Sequence, residues 1–141
     1  MLKWVENNQN TDVYLSLRKA VNWKELSKEQ AEKALKNSLY ILTAYENDEP
    51  IGMGRIVGDG AVICYVQDLI VIPEKQSDGI GGMILNRLKK FVASEGIPGT
   101  TMMFDLMCAK GRENFYEKHG FMARPTEDLG PGMIQYIKMK G

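Results

Sequence analysis

Three closely spaced glycines, Gly79, Gly81 and Gly82, follow an apolar segment and a proline and lead into a sequence with helical periodicity. Glycine in a helix costs about 1 kcal/mol relative to alanine, so this placement needs a reason. A helix N-terminus carries unpaired N–H groups and a partial positive charge, which together bind anions. Glycines leave that backbone accessible to a phosphate group. The alternative is a plain tight turn before a glycine-tolerant helix start.

The same residues exclude two well-known phosphate-binding motifs. The dinucleotide fingerprint G-x-G-x-x-G would need a glycine at position 84, which is Ile84. A P-loop needs Gly-Lys-Ser or Gly-Lys-Thr, and neither occurs in the chain. We therefore expect neither a dinucleotide nor a P-loop nucleotide at this helix start.

A polar pair, Gln67 and Asp68, interrupts the run from Ala61 to Ile72, which is otherwise apolar on both alternating faces. Such a run predicts a strand that is covered on both sides. Neighbouring residues of a strand point to opposite faces, so each face receives one polar side chain that needs a partner or a water-filled cavity. Either both are satisfied structurally, at a bulge or by neighbouring strands, or they line a site in which Asp68 accepts a proton.

Periodicity and turn signals predict the elements that position these residues. Apolar spacing predicts a helix over 11–21 with Thr11 or Asp12 as its N-cap, and Ser27 with Gln30 matches a capping box at a second helix. The other predicted elements are strands near 38–46, 51–57 and 61–72, a helix over 79–93 with Met83 on its apolar stripe, a strand over 101–107, a helix over 111–119, and strands near 120–124 and 133–138. This order indicates an α/β fold of the mixed α+β kind, in one domain spanning 1–141.

Composition argues against several classes of protein and site. Eighteen acidic residues balance eighteen basic ones, so no nucleic-acid partner is expected. Cys64 and Cys108 lack metal-binding spacing and are interpreted as core thiols, and no metal is expected. The chain has no signal-peptide pattern and no apolar run of membrane-spanning length, which predicts a cytoplasmic protein without membrane attachment.

Two segments resemble the GNAT superfamily of N-acetyltransferases. The run QSDGIG, Gln76 to Gly81, is similar to the family's acyl-CoA signature Q/R-x-x-G-x-G/A. The run NFYEKHGF, Asn114 to Phe121, is similar to the family's segment on the helix after its fifth strand. The order of predicted elements agrees over nearly the whole chain. The resemblance implies a mixed, mostly antiparallel sheet, splayed between its fourth and fifth strands, with helices on both faces.

The resemblance also implies roles for individual residues. Backbone groups of Leu69, Ile70 and Val71 would bind the pantetheine arm of acetyl-CoA, beside a bulge that separates the fourth and fifth strands. Tyr116 falls on the tyrosine that in many members protonates the departing CoA thiolate. Ala109 departs from the family pattern, which often has a cofactor-contacting asparagine there. The backbone amides that would hold the pyrophosphate belong to Gln76, Ser77, Asp78, Gly79, Ile80, Gly81 and Gly82.

The function implied by the resemblance is transfer of an acetyl group from acetyl-CoA to a small primary amine, by direct attack in a ternary complex. Tyr116 would act as the acid, and Asp68 or a water chain as the proton acceptor. The alternative is a non-catalytic acyl-CoA-binding module or sensor. The sequence leaves open the acceptor's identity and whether the chain forms a homodimer. Trp23 lies between the two N-terminal helices, which in this family overhang the acceptor site.

Overall fold

The computed structural model describes residues 1–141 and contains five β-strands and four α-helices. None of the helices is both long and apolar enough to cross a lipid bilayer. The chain divides into two compact units, Met1–Leu106 and Met107–Gly141. The elements in chain order are β1 (Leu2–Glu6), α1 (Thr11–Ala20), α2 (Lys28–Lys36), β2 (Tyr40–Glu46), β3 (Glu49–Gly58), β4 (Ile63–Val71), a 3₁₀ turn (Pro73–Lys75), α3 (Ile80–Glu95), β5 (Met103–Leu106) and α4 (Glu113–Lys118).

The strands form one mixed sheet in the order β1-β2-β3-β4-β5. Neighbouring strands are antiparallel except β4 and β5, which are parallel and are joined by the crossover helix α3. The tight turn between β2 and β3 places Asn47 and Asp48 at positive φ, which these two residue types tolerate. The predicted mixed, mostly antiparallel sheet is confirmed. Strand β1 was not predicted, because five residues are too few to show a clear alternation.

Helices cover both faces of the sheet, so the first unit has two apolar cores. On one face α3 contributes Ile80, Ile84, Leu88 and Val92, which pack against Leu42, Ala44, Ile56, Cys64 and Val66. On the other face α1 and α2 contribute Tyr14, Leu17, Ala31 and Leu35, which pack against Ile41, Met53 and Ile70. Each central strand therefore sends alternate side chains into opposite cores, as expected for strands that are buried on both sides.

Two glycines of β3 allow α3 to approach the sheet closely. A Cβ atom added at Gly54 would lie 2.7 Å from Leu88 Cδ1 and 2.8 Å from Ile84 Cγ2. A Cβ atom added at Gly52 would lie 2.8 Å from the carbonyl oxygen of Ile70 in β4. The placement of Met83 on the buried stripe was wrong, because its side chain points to solvent.

The two N-terminal helices begin with side-chain caps. Ser27 Oγ accepts a hydrogen bond from the Gln30 N–H at 3.0 Å, which confirms Ser27 as the cap of α2. At α1 the cap is Asn10, whose Oδ1 accepts from the Val13 N–H at 3.1 Å. The prediction of Thr11 or Asp12 was therefore wrong. An asparagine caps at least as well as a threonine, and here it stands one position earlier.

In the second unit, α4 ends in a Schellman motif. The Gly120 N–H donates to Glu117 O and the Phe121 N–H donates to Tyr116 O, both at 3.1 Å. Gly120 has φ of 90°, the left-handed conformation that this motif requires after the capping residue His119.

The strands predicted near 120–124 and 133–138 are absent, so that prediction was wrong. Their apolar and β-branched residues favour strands, but strand preference depends on a neighbouring strand, and the sheet ends at β5. Cys64 is buried as expected, whereas Cys108 is exposed, which corrects its assignment to the core. The large apolar side chains that are exposed near the C-terminus are Met133, Ile134, Tyr136, Ile137 and Met139.

Candidate active site

Strand β4 loses one of its two partners half-way along its length. Its pairing with β5 ends at Val66, opposite Leu106. At the same place Asp68 and Val66 pair with consecutive residues of β3, so Gln67 between them is an extra residue and forms a β-bulge. From Gln67 to Val71 the strand therefore has an open edge. The structure thus has the bulge that the resemblance implies, and β4 continues beyond the end of its pairing with β5.

The alternation of the backbone determines which groups face this open edge. The Ile72 N–H donates to Ile51 O in β3 at 2.9 Å. Backbone groups of alternate residues in an antiparallel pair point to the same side, so those of Ile70 also face β3. The N–H and C=O groups of Leu69 and Val71 consequently point away from β3, toward the edge that β5 leaves open.

The N-terminus of α3 presents a cluster of backbone donors just after this edge. Gly79 is the N-cap, its φ is 77°, and no side chain caps the helix. The first bond of the helix runs from the Met83 N–H to Gly79 O at 3.2 Å, so the N–H groups of residues 79–82 have no partner within the helix. A Cβ atom added at Gly79 would meet nothing within 4 Å. We call residues 76–82 the amide cradle.

The first residues of the amide cradle, 76–78, turn the chain from β4 toward Gly79. The side-chain amide of Gln76 donates to Val71 O at 3.0 Å and so occupies one carbonyl of the open edge. The N–H groups of Gln76 and Asp78 bond at 3.3 Å to carbonyls of the preceding turn. The side chains of Ser77 and Asp78 are exposed. The unpartnered donors of the cradle are therefore concentrated at residues 79–82.

Asp68 lies at the centre of a buried polar cluster on the α1 and α2 side of the sheet. Its Oδ2 accepts hydrogen bonds from Tyr14 Oη at 2.7 Å and from Arg55 Nε at 2.6 Å, and the residue is 1% exposed. Its Oδ1 accepts no hydrogen bond, and Arg18 Nη1 lies 3.5 Å away from it. Burial, and then the adjacent Asp68 charge, raise the pKa of Tyr14.

Two arginines share this one carboxylate. Arg55 Nη1 also donates to Ser38 Oγ at 3.0 Å, and Arg18 Nη2 donates to Lys24 O at 2.8 Å. Arg18 Nε is buried without a hydrogen-bond partner. The three charged side chains together carry one uncompensated positive charge, because two guanidinium groups face a single carboxylate.

Tyr116 is held in the second unit by its own helix and by the Schellman motif. Its ring packs edge-on against Phe115 at 5.1 Å and against Phe121 at 5.8 Å between centroids. Within residues 107–141 its hydroxyl forms no hydrogen bond. Burial raises the pKa of Tyr116, Cys108 adds to the increase, and Arg112 opposes it. The phenol is therefore protonated at neutral pH and can donate its proton.

Comparison with known proteins assigns the chain to a family. The model of the acetyltransferase (GNAT) domain matches residues 37–123. The chain belongs to the GNAT family. The uncharacterized N-acetyltransferase YjcF of Bacillus subtilis (strain 168) is 27% identical over 106 residues, which cover 74% of this chain and 71% of that protein.

Two solved structures of bacterial proteins resemble this GNAT chain over almost its full length. A probable acetyltransferase from meticillin-resistant Staphylococcus aureus has a TM-score of 0.83 and 31% identity, covering 99% of this chain and 100% of that one. A GNAT-family acetyltransferase from Streptococcus pneumoniae TIGR4 has a TM-score of 0.81, with the same identity and coverage. These likenesses support acyl transfer as the general activity.

The residues around Asp68 are the part of the candidate site that sequence reasoning missed. Tyr14 and Arg55 are 54 and 13 positions away from it in the chain, so no local motif joins them. The sequence did offer one indication of this cluster, because Arg55 and Asp68 lie on strands that were predicted to be neighbours. Gln67, the other half of the polar pair, is exposed at the bulge. His119 Nδ1 lies 2.8 Å from Phe115 O at the end of α4.

Proposed function

We propose that this GNAT protein transfers the acetyl group of acetyl-CoA to a primary amine of a small molecule, by direct attack in a ternary complex. The observation that carries the proposal is the succession of the open edge of β4 and the amide cradle. An extended amide-containing arm fits the first, because the N–H and C=O groups of Leu69 face the open edge unpaired by any strand. A pyrophosphate fits the second, because donors and the helix dipole converge where no side chain intrudes.

The binding roles are then divided along the chain. The segment Leu69, Ile70 and Val71 binds the pantetheine arm through the backbone of Leu69 and the N–H of Val71, while the backbone of Ile70 pairs with β3. Gln76 holds the end of the strand through Val71 O, and the amides of the cradle hold the pyrophosphate. When bound, acetyl-CoA supplies an acetyl thioester that an amine can attack. An N–H group on the open edge of β4 stabilises the negative charge that develops on the acetyl oxygen.

Proton balance requires two further groups. A primary amine with a pKa near ~10 is protonated at neutral pH and must lose a proton before it attacks. Oδ1 of Asp68, which accepts no hydrogen bond, is the proposed acceptor, and a water chain is the alternative. The C–N bond forms, the C–S bond breaks, and the Tyr116 hydroxyl gives its proton to the departing thiolate. The second proton that the amine nitrogen loses as the amide forms restores the Tyr116 phenol.

A thiol-release assay tests the activity directly. Acetyl-CoA is mixed with the protein and a panel of small primary amines, and free CoA is measured against time. Amine-dependent release of CoA supports the proposal. Calorimetric binding of acetyl-CoA without release from any amine would instead favour the alternative, a non-catalytic acyl-CoA-binding module. The presence of a tyrosine at position 116, where the family often has its acid, favours the enzyme.

Substitution in the amide cradle tests the binding roles. In Gly81→Val a bulky side chain stands near the unpartnered donors, and we expect CoA to bind roughly five- to a hundredfold more weakly with the melting temperature nearly unchanged. Gly130→Val is the matched control, because a Cβ atom there meets nothing within 4 Å. Unchanged CoA affinity in a folded Gly81→Val protein would show that the glycine serves helix packing alone.

The two compact units form one acetyltransferase domain in this proposal. The family match over residues 37–123 runs across the boundary between them, which supports a single functional unit. Homodimer formation is also proposed. Its support is the exposed apolar segment 133–139, in which Tyr136 is 87% exposed. Light scattering over a concentration series tests it, and a monomer at every concentration would remove it.

A further inference from the structure

An open cavity of about 490 Å³ lies beside the C-terminal half of α1 and the connection from α1 to α2, and it carries an excess of positive charge. Arg18, Lys19 and Lys24 line it together with one carboxylate, that of Glu25. The chain as a whole has no net charge, so this concentration is local. The volume lies within the range of small-molecule sites.

Among the basic residues that line the cavity, Arg18 has a side chain held in place by other contacts. Its Nη2 donates to Lys24 O at 2.8 Å, and its guanidinium carbon lies 5.4 Å from the centre of the Trp23 ring. Because these contacts already restrict the side chain, an oxyanion that binds it incurs little further loss of conformational freedom. Its Nε is buried and has no hydrogen-bond partner.

The charge of Arg18 is also incompletely neutralised. Asp68 is closer to Arg55, at 2.6 Å, than to Arg18, at 3.5 Å. One carboxylate between two guanidinium groups leaves a net positive charge in the cluster. Asp68 directly precedes Leu69, whose backbone faces the open edge of β4. Arg18 therefore lines the cavity and also contacts Asp68, which lies in the part of β4 that the proposed acyl transfer uses.

We propose that the acceptor amine carries an anionic group, a carboxylate or a phosphate, that binds Arg18, Lys19 and Lys24 in this cavity. The inference rests on the proposed function and specifies its substrate class. Trp23, which is 38% exposed, supplies an apolar wall for the carbon skeleton between the amine and the anion. The shared requirement is a negatively charged group of oxygen atoms, which guanidinium and ammonium groups bind by charge-assisted hydrogen bonds.

Matched acceptors test the inference. An amino acid is compared with its methyl ester, and an aminoalkyl phosphate with the corresponding amino alcohol, by measuring kcat/KM at saturating acetyl-CoA. We expect at least one anionic member to exceed its neutral partner about tenfold or more, and the better pair identifies the anion as carboxylate or phosphate. Equal rates within both pairs would overturn the inference while leaving the acetyltransferase proposal intact.

Charge reversal provides the second arm of the test. The double variant Lys19→Glu/Lys24→Glu should raise KM for the anionic acceptor about tenfold or more and leave that for its neutral partner within about twofold. The double variant Lys89→Glu/Lys90→Glu, at two exposed positions of α3, is the matched control. An unchanged KM in the folded double variant would overturn the inference. Wild-type protein that binds acetyl-CoA but acetylates none of the four amines would overturn the proposed function itself.

Discussion

Tyr116 is the residue on which the proposed chemistry can be tested most directly. Burial keeps its phenol protonated at neutral pH, and a thiolate is already a tolerable leaving group. We therefore expect Tyr116→Phe to lower kcat by about 10- to 1000-fold, less than the upper range for general acid catalysis. The ring is retained, so CoA affinity and melting temperature should barely change. Steady-state rates at saturating acetyl-CoA measure the effect, and a Phe variant with full kcat would remove Tyr116 as the acid.

Asp68 can serve the reaction, the fold, or both, and Asp68→Asn separates these roles. If Oδ1 accepts the amine's proton, turnover should fall most at low pH and recover partly as pH rises, because more of the amine is then already neutral. If the carboxylate is structural, Arg55 and Arg18 lose their counter-charge, and unfolding free energy should fall by about 3 kcal/mol or more with the turnover of folded protein unchanged. Thermal denaturation and pH-rate profiles, measured on the same variant, distinguish the catalytic role from the structural one. Tyr14→Phe, which removes one hydrogen bond to Asp68 and no charge, is the matched control.

At the scale of elements, the contact between α3 and β3 depends on two glycines that differ in what surrounds them. In Gly54→Ala the new methyl group meets side-chain atoms of Leu88 and Ile84, whereas in Gly52→Ala it meets the backbone carbonyl of Ile70. A backbone atom in a paired strand can shift less to relieve a steric clash than the end of a side chain can. We expect each variant to lose roughly 1–3 kcal/mol of unfolding free energy, and we expect the loss to be larger in Gly52→Ala. Urea denaturation measures both, and the reverse order would contradict this account of the packing.

The elements also show where sequence reasoning succeeds and fails. The helix after β4 and the strands before it could be predicted, because their periods and turn residues are local properties of the chain. The N-cap at Asn10 was missed by one residue, since several neighbouring side chains there could cap. The Asp68 cluster could not be predicted, because it joins side chains from a helix and two strands. The segment 133–138 was wrongly predicted as a strand, because its composition favours a strand that the sheet does not contain.

The free energy of unfolding of the whole protein should decrease in the alkaline pH range, because Tyr40 is buried. Burial and a 2.7 Å hydrogen bond to Glu6 raise the pKa of Tyr40 to about 12. An unfolded tyrosine ionises near ~10, so between these values the unfolded chain has lost protons that the folded protein retains. Unfolding free energy should therefore be fully present below pH ~10 and fall by about 2 kcal/mol by pH ~12 on account of Tyr40 alone. Denaturation across this range should show a shallower decline in Tyr40→Phe, and equal slopes would contradict the assignment.

The open edge of β4 has a consequence for the rates at which its backbone hydrogens exchange with solvent. Ile70 and Ile72 face β3 and should exchange slowly, whereas Leu69 and Val71, in the same strand, face an edge without a strand partner. A central strand of the sheet should thus show protection that alternates from one residue to the next. Acetyl-CoA bound along that edge would slow the exchange of Leu69 and Val71 and abolish the alternation. Residue-resolved deuterium labelling would then report occupancy of the site without any measurement of catalysis.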